Sequence, residues 1–162
     1  MRKEIILNGG WRFHKGDIAE PISQDKGFIY SQSKTERKLS GPAAYNYPDT
    51  PDSYGGGMIN PEKWVWTDLP HDYVVYQDNS ENENCALGYL HYDNAWYRKH
   101  FNMPEGSENR RALLRFDGIA GKSTVYLNGC LMYHNFSAYN TFEIDITDYV
   151  YYDKENVIAV YV

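Results

Sequence analysis

The chain has 162 residues, enough for one domain with a sizeable core and too few for two. A net charge of −6 with no Lys or Arg stripe argues against a nucleic-acid or anionic-membrane partner. No apolar run reaches transmembrane length, and the N-terminus lacks a signal-peptide core and a cleavage site. That leaves localisation open between the cytoplasm and, if an upstream leader has been removed, an exported compartment.

Residues 4–7 are rich in β-branched side chains and predict a short strand. Asn8-Gly9 predicts a turn, after which Trp11 and Phe13 share one face and are expected in the core. Residues 18–63 form a long irregular insertion. Within it, residues 41–57 (GPAAYNYPDTPDSYGGG) combine Pro, Gly, Asp and Tyr. Pro lacks a ladder donor and repeated Gly is entropically costly, so this stretch is expected to hold no ladder and to be the most mobile internal segment. In residues 64–72, Pro70 keeps Leu69 extended, and the chain is expected to turn a corner. His71 and Asp72 are adjacent on extended chain and point opposite ways, which disfavours an acid–base pair. Residues 77–85 are polar and loop-like. Asp93-Asn94 reads as a turn, because both side chains bond nearby backbone, and a strand follows it.

Residues 112–117 alternate apolar and polar side chains, the period of a half-buried strand. A second alternating run reaches Asn128-Gly129, a strong hairpin signal because both central residues of a type I′ turn need positive φ. Folding there pairs Leu127 with Cys130, Tyr126 with Leu131 and Val125 with Met132. Val125, Leu127, Cys130 and Met132 then form a core face, and Tyr126, Leu131 and Tyr133 a more aromatic one. Phe142, Ile144 and Ile146 alternate again, Thr147 is expected to cap a single helical turn, and residues 156–162 (NVIAVYV) form a strand running to the last residue. A natural domain seldom stops inside a strand, so the chain is expected to be a fragment of a longer protein. Cys85 and Cys130 have no metal-ligand spacing and form no disulfide framework. The sequence does not decide whether they pair. Frequent short strands with turn punctuation imply an all-β antiparallel sandwich, for which a jelly roll fits the strand count.

Several of these stretches carry a resemblance. Phe116-Asp117-Gly118 followed by Val125-Tyr126-Leu127-Asn128-Gly129 resembles the F-(D/E)-G … V-Y-(V/L)-N-G signature of the N-terminal, sugar-binding domain of glycoside hydrolase family 2. Leu7–Phe13 resembles the family's L-(N/D)-G-x-W-x-F opening, and Phe13–Asp17 its F-H-x-G-D. Leu69–Tyr73 resembles L-P-H-D-W with Tyr73 replacing the Trp, and Trp96–Phe101 resembles W-Y-R-K-x-F. Residues 156–162 resemble N-x-(I/L)-A-V-x-V. The blocks come in family order along nearly the whole chain. There are departures: the enlarged 41–57 segment, and Ser137 and Ala138 where many members have two glycines.

The resemblance implies a galactose-binding-domain-like jelly roll over residues 1–162, a single sugar-binding domain. It makes Asp93 and Asn94 candidate substrate-binding residues, since a polar residue near this region reaches the galactose site in the family's β-galactosidases. It implies a structural role for His71 and Asp72. It also implies a catalytic (β/α)8 barrel, outside this chain, as the partner that carries both catalytic glutamates. The favoured parent is a β-galactosidase, with β-glucuronidase and β-mannosidase as alternatives.

The residues themselves offer no chemistry. Retaining glycosidases hold two carboxylates about 5–5.5 Å apart across the bond, and no such pair can be assigned here. No phosphate loop, H-E-x-x-H or nucleophile elbow is present. The chain alone is expected to be non-catalytic, with no metal and no cofactor, and to bind a β-galactoside weakly. The competing readings are a stand-alone carbohydrate-binding module and a purely structural docking domain.

Overall fold

The computed structural model describes residues 3–18, 41–49 and 64–162, with the backbone of residues 54–55 and 58–59. Ten strands are defined: β1 Trp11–Lys15, β2 Tyr54–Gly55, β3 Met58–Ile59, β4 Val65–Thr67, β5 Ala95–Phe101, β6 Leu113–Phe116, β7 Ser123–Leu127, β8 Cys130–Asn135, β9 Phe142–Asp145 and β10 Asn156–Tyr161. Six of them form one antiparallel sheet in the order β4-β1-β5-β10-β7-β8. β6 and β9 pair separately and form the second layer of the sandwich. The all-β, jelly-roll expectation holds.

Strand periodicity gives the large sheet two different faces. On one, Trp11, Val125, Leu127, Ile158 and Val160 meet Leu114, Phe142 and Ile144 of the second layer, and Ile146 and Val150 close the end. Removing these side chains from water supplies the main driving force for closure. On the other face, Trp96 and Ala159 pack with Ala43, Trp64 and Ile18. The cover here is no sheet: residues 41–49 lie across it, beginning with a 3-10 turn at Gly41–Ala43 whose three residues are all buried.

The hairpin at Asn128-Gly129 forms as the sequence predicts, with φ of 52° and 84°. Leu127 pairs with Cys130 and Tyr126 with Leu131. The next pair differs: Val125 faces Tyr133, not Met132, because a β-bulge inserts one residue into β8. Met132 still packs on the core with Val125. Tyr133 is carried to the Phe142 side, where the rings stack at 4.8 Å, so it leaves the face shared by Tyr126 and Leu131. Asn128 does more than turn the chain. Its amide donates to Tyr149 O and Asn156 Oδ1 at 2.8 Å each, and its Oδ1 accepts from Val157 N at 2.9 Å.

Three further expectations need correction. Residues 4–7 form no strand; Ile5 and Ile6 stay exposed, and this segment is held at its end by the Trp11 indole donating to Leu7 O at 2.6 Å. Thr147 caps no helix: its hydroxyl accepts from Ala112 N at 3.0 Å, while Asp145 Oδ1 accepts from Thr147 N at 3.1 Å at the start of a single turn. Residues 41–49 make no strand and lie against the large sheet, but the expectation that residues 41–57 hold no ladder fails: Tyr54 pairs with Ile59 and Gly55 with Met58. The rest of that segment lies outside the described residues. Cys85 and Cys130 form no disulfide.

Candidate functional site

β1, β5 and β10 are neighbours in the centre of the large sheet. Because they run antiparallel, β1 ends where β5 begins and β10 finishes. Backbone bonds tie this end together: Gly16 N donates to Asn94 O at 2.6 Å, and Ala95 and Val162 exchange bonds at 2.9 and 3.0 Å. Gly16 sits at φ 92°, a conformation that a side chain would strain, and this lets the chain leave β1 sharply.

The turn places Asp17 against Asn94. Both Asp17 carboxylate oxygens lie 3.1 Å from Asn94 Nδ2, and Tyr161 donates its hydroxyl to Asp17 Oδ1 at 2.6 Å. Partial burial and the Asp17 carboxylate together push the Tyr161 phenol up to about 12, so it stays a donor at neutral pH. Asp93 Oδ1 accepts from Asn94 N at 2.9 Å, and its Oδ2 faces His91 Nε2 at 3.6 Å. Tyr73 donates its hydroxyl to Asp93 O. Burial, with the charges of Asp93 and Asp72 adding to it, raises the Tyr73 phenol above its ordinary value. Around this centre, Lys15 Nζ donates to Gln77 Oε1 at 2.8 Å, Gln77 Nε2 donates to His91 O at 3.0 Å, and His91 Nδ1 meets Glu83 Oε1 at 2.9 Å.

Asp93 and Asn94 are therefore neighbours in one exposed, acidic cluster. Asp17 and Tyr161 belong to it, and the sequence reading missed both. Asp17 stands inside the F-H-x-G-D block, so its position was visible while its partners, far along the chain, were not. His71 and Asp72 sit elsewhere and pin the corner. His71 Nδ1 bonds the Tyr97 hydroxyl at 2.9 Å, and Asp72 Oδ1 accepts from Val74 N at 2.9 Å.

A second polar cluster lies under residues 41–49. Arg98 on β5 is fully buried. Its Nε donates to Asp49 Oδ2 at 2.8 Å, one terminal nitrogen donates to Pro42 O and Ala44 O, and the other reaches Tyr45 O and Tyr47 O at 3.4 and 3.5 Å. Asp49 Oδ2 also meets Arg12 at 3.2 Å and His100 Nε2 at 2.7 Å. Burial alone would raise the Asp49 carboxyl. The His100 bond and the Arg98 charge outweigh it and hold the group at about 2. No donor of Arg98 is spare, so Arg98 fastens the covering segment to the sheet; the Nε of Arg12 beside it is buried and has no partner among the described residues. Among the described residues, no group of three or more His, Cys, Asp or Glu is placed to hold a metal ion.

The antiparallel jelly-roll sandwich places the chain in a class of all-β domain that includes lectins. The chain belongs to the glycosyl hydrolases family 2 sugar binding domain, whose model matches residues 5–162. It is 33% identical over 161 residues to the β-galactosidase BoGH2A of Bacteroides ovatus, covering 98% of this chain and 15% of that protein. It is 27% identical over 104 residues to a β-glucuronidase of Formosa agariphila, covering 62% of this chain and 11% of the relative. A β-glycosidase structure from Bacteroides vulgatus superposes with a TM-score of 0.67 at 25% identity, covering 96% of this chain and 16% of that one. The chain thus spans 15% of the length of the first of these relatives.

Proposed function

We propose that residues 1–162 are one sugar-binding domain of a larger glycosidase, and that the Asp93–Asn94 end of the large sheet shapes the glycone subsite. The reading rests on one observation. Asp17, Asp93, Asn94 and Tyr161, from three strand ends, converge on one exposed cluster. A sugar site needs several polar groups aimed at one place. Catalysis belongs to a (β/α)8 barrel elsewhere in the parent, whose active face lies at the C-terminal ends of its strands. The Bacteroides ovatus relative supports a β-galactosidase as the parent. The name of the second relative supports a β-glucuronidase instead. The chemistry of the cluster favours the first: Asp93 accepts from the hydroxyls of a neutral sugar, and the acidic character of the cluster repels a uronate carboxylate.

The test uses the parent enzyme and a chromogenic galactoside. Asn94→Ala and Asp93→Ala are each expected to raise KM about tenfold, the effect of losing roughly one hydrogen bond to substrate. Unchanged KM in both variants removes the subsite reading. The chain by itself should turn over no galactoside and bind galactose no better than a Kd of about 1 mM, since two or three exposed hydrogen bonds barely reach the roughly 4 kcal/mol needed. Micromolar binding by the isolated chain would support a stand-alone carbohydrate-binding module.

A further inference from the structure

Asn94 has an amide with two unlike ends, and the structure uses only one of them. Its Nδ2 points at both oxygens of Asp17. Its Oδ1 accepts from no described residue, and the residue is exposed. An ionised carboxylate only accepts hydrogen bonds, so it can hold the NH2 end of an amide and never the oxygen end. Asp17 is itself fixed by the Tyr161 hydroxyl at 2.6 Å and by its place one residue beyond Gly16, whose N–H bonds Asn94 O. The three groups come from the ends of β1, β5 and β10, neighbours in the centre of the sheet. The amide therefore has one preferred orientation, with its oxygen turned out.

We propose that Asp17 is a positioning residue that sets the amide of Asn94 so that its oxygen, not its NH2, faces the sugar. This rests on the glycone-subsite reading and deepens it to substrate choice. An outward carbonyl oxygen accepts a hydroxyl proton. Beside the Asp93 carboxylate it makes a surface of acceptors. A neutral hexose supplies donors to such a surface, whereas a uronic acid brings a third acceptor with a negative charge. Reversing the amide would offer an NH2 donor and weaken that discrimination.

Asp17→Asn is nearly isosteric and tests this in the parent enzyme. An asparagine at 17 can donate or accept, so it no longer dictates which end of Asn94 faces out. The expected result is a KM for a nitrophenyl β-galactoside raised about tenfold with kcat within about twofold, the signature of lost ground-state binding. The ratio of galactoside to glucuronide kcat/KM should fall. The double variant with Asn94→Ala should bind no worse than Asn94→Ala alone, because Asp17 acts through Asn94. If Asn94→Ala raises KM while Asp17→Asn leaves both KM and the ratio unchanged, the positioning role is overturned and the subsite stands. Additive losses overturn it as well, since Asp17 would then act on its own. If Asn94→Ala leaves KM unchanged while Asp93→Ala raises it, this inference falls and the subsite stands; if both leave KM unchanged, the subsite reading falls as well.

Discussion

The large sheet carries two clusters of similar residues with opposite fates. On one face, Arg12, Arg98 and His100 of the sheet meet Asp49, the last of the covering residues 41–49, and Arg98 is fully buried. At the sheet end, Asp17, Asp93, Asn94 and Tyr161 meet in the open. Both contain carboxylates, and both tie distant parts of the chain. The difference lies in what is left over. Arg98 spends its donors on Asp49 and on main-chain oxygens of the segment that covers it. A buried charge without partners is severely destabilising, so saturation is the condition for burial. The exposed cluster keeps spare acceptors because water satisfies them, and a sugar hydroxyl can replace that water. A saturated buried charge holds the fold; spare acceptors at the surface can recognise.

The strongest way to break this contrast is at Asp49. Asp49→Ala leaves Arg98 buried and without its carboxylate, which is expected to cost about 3–5 kcal/mol in urea unfolding. A loss under about 1 kcal/mol would mean that the covering carbonyls suffice, and that the ion pair is incidental.

Acid titration sharpens the same point with a smaller effect. The folded Asp49 carboxyl lies at about 2 against an ordinary 3.8. A lowered carboxyl stabilises the fold above the unfolded value, and this contribution is lost as pH falls from about 4 through 2. The expected contribution at neutral pH is about 2 kcal/mol. Asp145, held low by the Thr147 hydroxyl and by Arg111, titrates in the same window. The comparison is therefore between the parent chain and Asp49→Asn, which should flatten only the Asp49 share. Identical acid limbs for the two proteins would contradict the role given to Asp49.

Much of the contrast was hidden from the sequence for reasons of distance. Strand alternation exposes faces, so Trp11, Phe13, Val125 and Leu127 were readable as core and are buried. Alternation in β5 puts Trp96, Arg98 and His100 on one side and Tyr97, Lys99 and Phe101 on the other, and neither side declares itself inner. The answer depends on Asp49, a residue 49 positions away from Arg98 in a segment whose Pro and Gly content reads as loose. Composition reported correctly that residues 41–49 make no strand and was silent about burial. The β8 bulge was invisible for a related reason: Tyr133 follows Phe142, which belongs to the opposite layer. Asp93 and Asn94 were reachable through the family blocks, whereas Asp17 and Tyr161 needed the antiparallel packing of β1, β5 and β10 to bring them in.

The smallest expected effect is the most informative about the open end. Asn94→Ala removes an exposed amide whose bonds run to Asp17. Water can take over both the freed Asp17 oxygens and the space, so no buried group is left unsatisfied. The backbone bonds from Gly16 to Asn94 O and from Ala95 to Val162 do not involve the side chain and remain. The expected loss of stability is therefore within about 1 kcal/mol, well below that of Asp49→Ala. The urea midpoints of the two variants, measured at one pH with equal slopes, give the comparison directly. A loss at Asn94 as large as at Asp49 would show that the Asp17–Asn94–Tyr161 contact is a second fastening of the fold. The spare Asn94 oxygen would then be a by-product of that fastening, and the case for a sugar at this end would lose its physical basis.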